Sequence, residues 1–242
     1  MIFPAAGAAA PLTAVPVILP AAGAPAPLTA VPVVPVLPAA PGFGVAALPP
    51  APGPMPAGVE VLPDFAWSNY GTNLSAQVGT MYRLSNGPAN ASATGLAAAI
   101  WAVKHLASTG GRGIASGSRW SFSPVAFQPN AMFDLRFMGK QLNFVPAHLA
   151  DPAEAASLAR VQAGTMVTQL ITYAENAGRD LIAMGGNCGQ TVAGAVMTGT
   201  HGGFTGRPGF PEMVRALHLI GEDGREHWIE RGSKPVLSPA RK

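Results

Sequence analysis

Proline sets the first limit on what this chain can fold into. Of its 25 prolines, 16 fall within residues 1–63. Each fixes φ near about −65° and removes a backbone donor, so neither a helix nor a central strand of ordinary length survives such spacing. The same stretch carries no Lys or Arg and a single acid, Glu60. The run "PAAGAAAPLTAVPVILP", starting at Pro4, returns as "PAAGAPAPLTAVPVVPV" from Pro20, a repeat of 16 residues. Repeats ordinarily mark stacked units that share a core. Two copies of Pro and Ala with hardly any large side chains have no core to share. The expectation is therefore a disordered, partly polyproline II leader acting as a linker. The sequence divides into a Pro/Ala-rich low-complexity leader, residues 1–63, and a domain over residues 64–242.

Composition removes several classes of function. A net charge of +3 with 11% charged residues, and no dense Lys/Arg cluster, speaks against nucleic acid as a partner. Cys188 is the only cysteine, which excludes an intrachain disulfide and leaves the redox compartment open. No uninterrupted apolar run reaches the ~20 residues of a transmembrane segment. The opening "MIFPAAG" lacks the basic region of a secretory signal. No targeting segment is recognised, which leaves the compartment open with the cytoplasm favoured.

From residue 64 the texture becomes globular. Residues 89–109 are rich in helix formers, with Ser92 as the expected N-cap and Gly110-Gly111 as the stop. Residues 112–116 read as a short strand, and residues 131–138 and 157–164 as two more. Residues 166–178 read as a helix with an apolar face at Val167, Leu170, Ile171 and Ala174, closed by Gly178. "LIAM", residues 181–184, reads as a buried strand. Residues 214–230 read as a β-hairpin turning at Asp223-Gly224. The predicted class is α+β.

Two loops rich in glycine follow strands in this reading: "ASGSRWSFSP", residues 115–124, and "GGNCGQTVAGAVMTGTHGG", residues 185–203. Each offers backbone N–H groups unblocked by side chains, together with Ser/Thr hydroxyls. That is the chemistry that grips a pyrophosphate without much net charge. Neither loop matches G-x-G-x-x-G between strand and helix, nor G-x-x-x-x-G-K-[ST]. No His/Cys/Asp/Glu spacing suggests a metal, and no nucleophile elbow is present. His105 and His218 read as ordinary packed or surface histidines. Asp134 and Arg136, alternating with apolar neighbours, read as an exposed pair.

Taken in order, "SGSRWSFS", "VQAGTMVTQL" and "GQTVAGAVMTGTHGG" resemble the FAD-binding domain of the vanillyl-alcohol oxidase family. This is the PCMH-type fold, and the similarity is greatest to aldonolactone and alditol oxidases, the arabinonolactone oxidases among them. "WSNYGTN", residues 67–73, looks like the opening segment of that domain. The resemblance implies a fold of two subdomains with FAD between both loops. By position it puts Ala115, Ser116, Gly117, Ser118, Arg119, Trp120 and Ser121 of the first loop beside the cofactor. From the second it adds Gly186, Thr191, Gly194, Ala195, Val196, Met197, Thr200, His201 and Gly202. His201 is expected to be a structural or cofactor-lining group rather than a catalytic base. No catalytic residue is assigned.

The chain departs from the family in two respects. Many members carry in the first loop a histidine that bonds covalently to the flavin ring. Trp120 stands at that position, and indole has no nucleophilic nitrogen, so non-covalent FAD is expected. Trp120 either stacks near the ring or packs the loop. Cys188 lies near the place of a cysteinyl link seen in the wider superfamily, with the spacing off by a residue, and reads as a buried inert thiol. The family's final cofactor-contacting strand and its substrate domain are not recognised, so the fold is expected to be incomplete at its C-terminal end. The resemblance implies an oxidoreductase that moves a hydride from the C–OH of a small-molecule substrate, a sugar lactone or polyol, to flavin, with O2 as acceptor. A sterol or other alcohol oxidase, or a non-catalytic flavin-binding remnant, are the alternatives.

Overall fold

The computed structural model describes residues 2–4, 48–203 and 205–241. The body of the proline-rich leader, residues 5–47, lies outside the described residues, and with it the expectation of disorder there. Along the chain run β1 (Ile2–Pro4), β2 (Val59–Ser68), β3 (Ser75–Ser85), α1 (Ser92–Ser108), β4 (Gly113–Ser116) and β5 (Ala131–Phe137). They are followed by β6 (Gln141–Leu142), β7 (Leu158–Val161), α2 (Val167–Asn176), α3 (Val192–Met197), β8 (Ala216–Ile220) and β9 (Glu226–Glu230). Short 3₁₀ turns link several of them.

The strands form two sheets, ordered β2-β3-β5-β4 and β6-β7-β1-β8-β9. In the first, β2 and β3 pair antiparallel from Val59↔Leu84 to Ser68↔Ser75, and β5 lies parallel to both β3 and β4. β2 begins at Val59 and so runs across the boundary drawn from composition at residue 64. Pro63 sits inside β2 opposite Thr80. It is tolerated because β2 is an edge strand, where a missing N–H breaks no ladder bond on the open side. At the other end of the chain-order, Ile2–Pro4 pairs with β7 and touches β8 at Ala216. A segment with few charges and many prolines gave no hint of either pairing.

α1 covers one face of the first sheet. Its small residues Ala98, Ala99 and Ala102 are buried against Tyr82, Leu84 and Phe133, while Trp67, Val78, Met81 and Met132 fill the opposite face. Small side chains let the helix axis approach the sheet closely. The helix starts one residue earlier than expected. Ala91 holds the N-cap position in extended geometry without a side-chain bond, and Ser92 is already helical. The stop is as expected: Gly110 adopts φ +66°, and the N–H groups of Gly110 and Gly111 return to Ala107 and Leu106.

The second sheet packs with α2 and α3. Val161, Val167, Leu170, Ala174, Val192 and Phe210 form its core, so the apolar face read on α2 is the buried one. Leu181 joins this core with Ile182 packed against it, yet residues 181–184 form no strand. An apolar run becomes a strand only where an unpaired edge receives it, and here packing against α2 buries the run instead. The hairpin at the end pairs Ala216↔Glu230 through Ile220↔Glu226, with Gly224 at φ +72° in its turn.

A buried amide pair joins the two halves. Asn86, after β3, and Gln162, after β7, exchange reciprocal hydrogen bonds, both 2.8 Å. Gln162 Oε1 also accepts from the Lys140 N–H at 3.1 Å. Gly95 faces Asn86 so closely that a Cβ there would overlap its carbonyl oxygen.

Candidate functional site

The first loop leaves β4 at Ser116, whose side chain is buried. Three residues on, Arg119 sits at φ +63°, in the left-handed region that a long side chain enters only when its surroundings hold it there. Several contacts do so. Its carbonyl accepts from the Tyr70 N–H at 2.8 Å, its guanidinium lies over the Phe65 ring at 5.5 Å, and Nη2 donates to Asp134 Oδ2 at 3.3 Å.

Asp134 is therefore not part of an exposed pair. Its side chain is 1% exposed, bonded to Arg136 Nη2 at 2.6 Å as well as to Arg119. β5 is an interior strand covered on both faces, so alternation along it does not deliver Asp134 to water. Burial alone would push the Asp134 carboxyl up. The hydrogen bonds and charge of Arg136, with the charge of Arg119 behind them, outweigh burial and hold it below the usual carboxylate range. Burial, and then the nearby Arg136, lowers the pKa of Arg119. Arg119 is a strut under the loop rather than a clamp reaching out of it.

The opening segment, residues 67–73, braces the loop from the other side. Asn69 Nδ2 donates to the Ser121 carbonyl at 2.9 Å, and Asn73 Nδ2 to the Phe122 carbonyl at 3.1 Å. Tyr70 stacks on Trp120 with ring centroids 3.8 Å apart and planes 11° from parallel. Gly189 also lies against Trp120, where any Cβ would overlap the indole. Of the two roles open to Trp120, packing the loop is the one its contacts describe.

The two loops meet. Ser118 Oγ accepts from the Thr191 N–H at 3.0 Å, and a Cβ on Gly117 would overlap Thr191 Oγ1. Thr191 also caps α3, its hydroxyl accepting from the Gly194 N–H at 3.2 Å. The rest of the first turn of α3 is equally committed. Val192 donates to Thr165, Ala193 to Ala163 and Ala195 to Thr191. Gly194 and Ala195 therefore have no N–H to offer a ligand, and could line one only by closeness. Val196 is half-buried, and Met197, at 81% exposure, points outward. Gly186 has open space where a Cβ would stand. Thr200 is held from both sides, its N–H to Ala195 and its carbonyl to Phe210. His201 is exposed and its Nδ1 lies 3.0 Å from the Gly202 carbonyl, which leaves no base aimed at a reacting atom.

Backbone N–H groups without an acceptor among the described residues remain in both loops, at residues 185–188 and 190 in the second and as an unbroken run in the first. From Gly117 to Phe122, no backbone N–H finds an acceptor among the described residues. Ala115, exposed, and Ser116 lead into this run. Six successive unsatisfied N–H groups, next to the hydroxyls of Ser118 and Ser121 and a local reversal of chain hand at Arg119, are what an anion-binding concavity requires. The residues present thus fit the diphosphate of a dinucleotide. Sequence reasoning missed Asn69, Asn73 and Asp134, which hold the loop without lining it.

Residues 102–230 match the FAD binding domain family, more than half of the chain, and the chain belongs to that family; FAD is its cofactor. The match runs from inside α1 to the end of β9 and contains both loops. No protein of curated function matches by sequence. Among solved structures, a histidine-to-alanine variant of cholesterol oxidase from Brevibacterium sterolicum has a TM-score of 0.50 at 14% identity, over 77% of this chain and 35% of that one. Another cholesterol oxidase structure from B. sterolicum gives 0.49 at 13% identity, over 76% and 34%. The first of these likenesses shows a shared fold, the two-subdomain α+β fold expected from the sequence. This chain spans only 35% of that oxidase's length.

Among the described residues, no group of His, Cys, Asp and Glu could hold a metal ion, and no helix is long and apolar enough to cross a membrane. A cavity of about 360 Å³ lies on the second sheet and is lined by no residue of either loop.

Proposed function

We propose that this chain is the FAD-holding part of an oxidase-type oxidoreductase acting on the CH–OH group of a sugar lactone or polyol. The observation that carries the reading is the run of free N–H groups from Gly117 to Phe122, fixed in place by Asn69, Asn73 and the buried Asp134. Bound flavin would take a hydride from the substrate carbon and pass the electrons to O2. The part played by this chain is to bind and orient. Its first-loop N–H groups would hold the diphosphate without bringing in a cation. The Ser118–Thr191 bond would keep the second loop at a fixed distance, and open space at Gly186 would admit the cofactor. The likeness of sequence motifs to aldonolactone and alditol oxidases supports the substrate class. The 35% share of the neighbouring oxidase's length supports a further domain as the holder of substrate.

A bulkier apolar alcohol, such as the sterol that names the structural neighbour, is the second reading. It is favoured by the exposed rings of Tyr70 and Phe122 beside the first loop, 59% and 69% exposed. The first experiment is to saturate the purified chain with FAD, remove the excess and record the visible spectrum before and after acid precipitation. Retained yellow colour that moves to the supernatant is the expected result, since Trp120 offers no bond to the ring. Colour left in the pellet would redirect attention to Cys188, and a folded protein that takes up no FAD would overturn the reading. Anaerobic bleaching by an aldonolactone, an alditol or a sterol would then choose between the substrate classes.

A further inference from the structure

The cavity on the second sheet is a site of its own. Its walls include Phe144, Leu149, Trp228 and Leu237, and the Trp228 ring is fixed by its Nε1 donating to Glu230 Oε2 at 3.0 Å. Its polar side chains are mostly basic: Arg160, Arg241, His148, His218 and His227, against one acid, Glu226. Arg241 Nη2 stands 2.6 Å from His148 Nε2. Arginine only donates, so His148 Nε2 is the acceptor of that contact. Glu226 is already engaged, 2.8 Å from His218 Nε2. Arg160, rising from β7, is half-buried, and its guanidinium has no acceptor among the described residues. A guanidinium held against apolar walls without a carboxylate is a receptor for planar or tetrahedral oxyanions, which it grips through two parallel N–H bonds.

We propose that this cavity binds a small organic anion, a carboxylate or phosphate monoester on an apolar body, with Arg160 holding the head group and Trp228 and Phe144 packing the body. Its volume suits a ligand of metabolite size. Nothing in this site depends on the flavin reading, so the test runs with and without FAD. The full chain is titrated calorimetrically with phenyl phosphate, benzoate and, as cationic control, benzylamine. The expected result is saturable binding of phenyl phosphate or benzoate, unchanged by saturating FAD, and weakened at least about tenfold in R160Q. R241Q, on a surface turn, gives the same reading if R160Q does not fold. Displacement by FAD would place the anion in the glycine loops and overturn the proposal. Equal binding of benzylamine, indifference to both substitutions, or no saturation by either anion would overturn it too.

Discussion

The two glycine-rich loops differ in how they are held. The first is clamped from three directions: by the amides of Asn69 and Asn73, by the Tyr70–Trp120 stack, and from below by Arg119 and Asp134. The second is pinned at Thr191 and through α3, while Gly186, Gly199 and Gly203 look onto open space. Yet the clamped loop, like residues 185–188 of the looser one, leaves its backbone N–H groups without an acceptor among the described residues. Glycine content therefore does not measure looseness. A backbone that must present free donors to an anion needs its side chains anchored elsewhere, because every unmet N–H favours collapse onto a nearby carbonyl.

This contrast can be broken at its strongest point with Asp134→Asn. The substitution leaves Arg119 and Arg136 without a charged partner and should cost about 3 kcal/mol, read as a lower Tm, because removing one member of a buried pair strands the other. The wild-type pH profile supplies the matching control. The Asp134 carboxyl is held below its ordinary range, so its contribution is complete above about pH 4 and is lost as pH falls further. The gap in Tm between wild type and D134N should shrink there. Gly117→Ala comes next. Its Cβ would meet Thr191 and should cost about 1–3 kcal/mol by overpacking, with loss of FAD uptake in the same spectra. Ser118→Ala removes the acceptor of the Thr191 N–H and should lower stability by about 1–2 kcal/mol. Gly186→Ala is the smallest and sharpens the contrast. Without FAD its stability should stay within about 0.5 kcal/mol of wild type, while FAD affinity falls about tenfold by equilibrium titration, since only the cofactor would fill that space.

Local signals were the legible ones. α1, α2 and the final hairpin follow from helix formers, apolar spacing and the Asp223-Gly224 turn, all set within a dozen or so residues. The first loop's place after a strand was legible for the same reason. What escaped was everything decided at a distance. "LIAM" is apolar enough for a strand, but whether it finds an edge depends on β7, β1 and β8. Asp134 alternates as a surface residue would, and its burial comes from the sheet face it shares with Met132, which the Trp67–Met132 cluster covers. Asn69 and Asn73 look like turn residues, and they are; that their side chains reach Ser121 and Phe122, some fifty residues away, is a property of the fold. Pro63 argued for a linker and turned out to mark a sheet edge.

The Asn86–Gln162 pair has a consequence for the order in which the molecule assembles. The two amides are 76 residues apart in sequence, whereas the β2–β3 and β8–β9 hairpins close over a few residues. Closing a long loop costs entropy before any contact rewards it. The hairpins can form early and alone, but the reciprocal amides can meet only once the ends of β3 and β7 have come together. Their hydrogen bonds are a clock for the late step in which two partly built sheets become one domain.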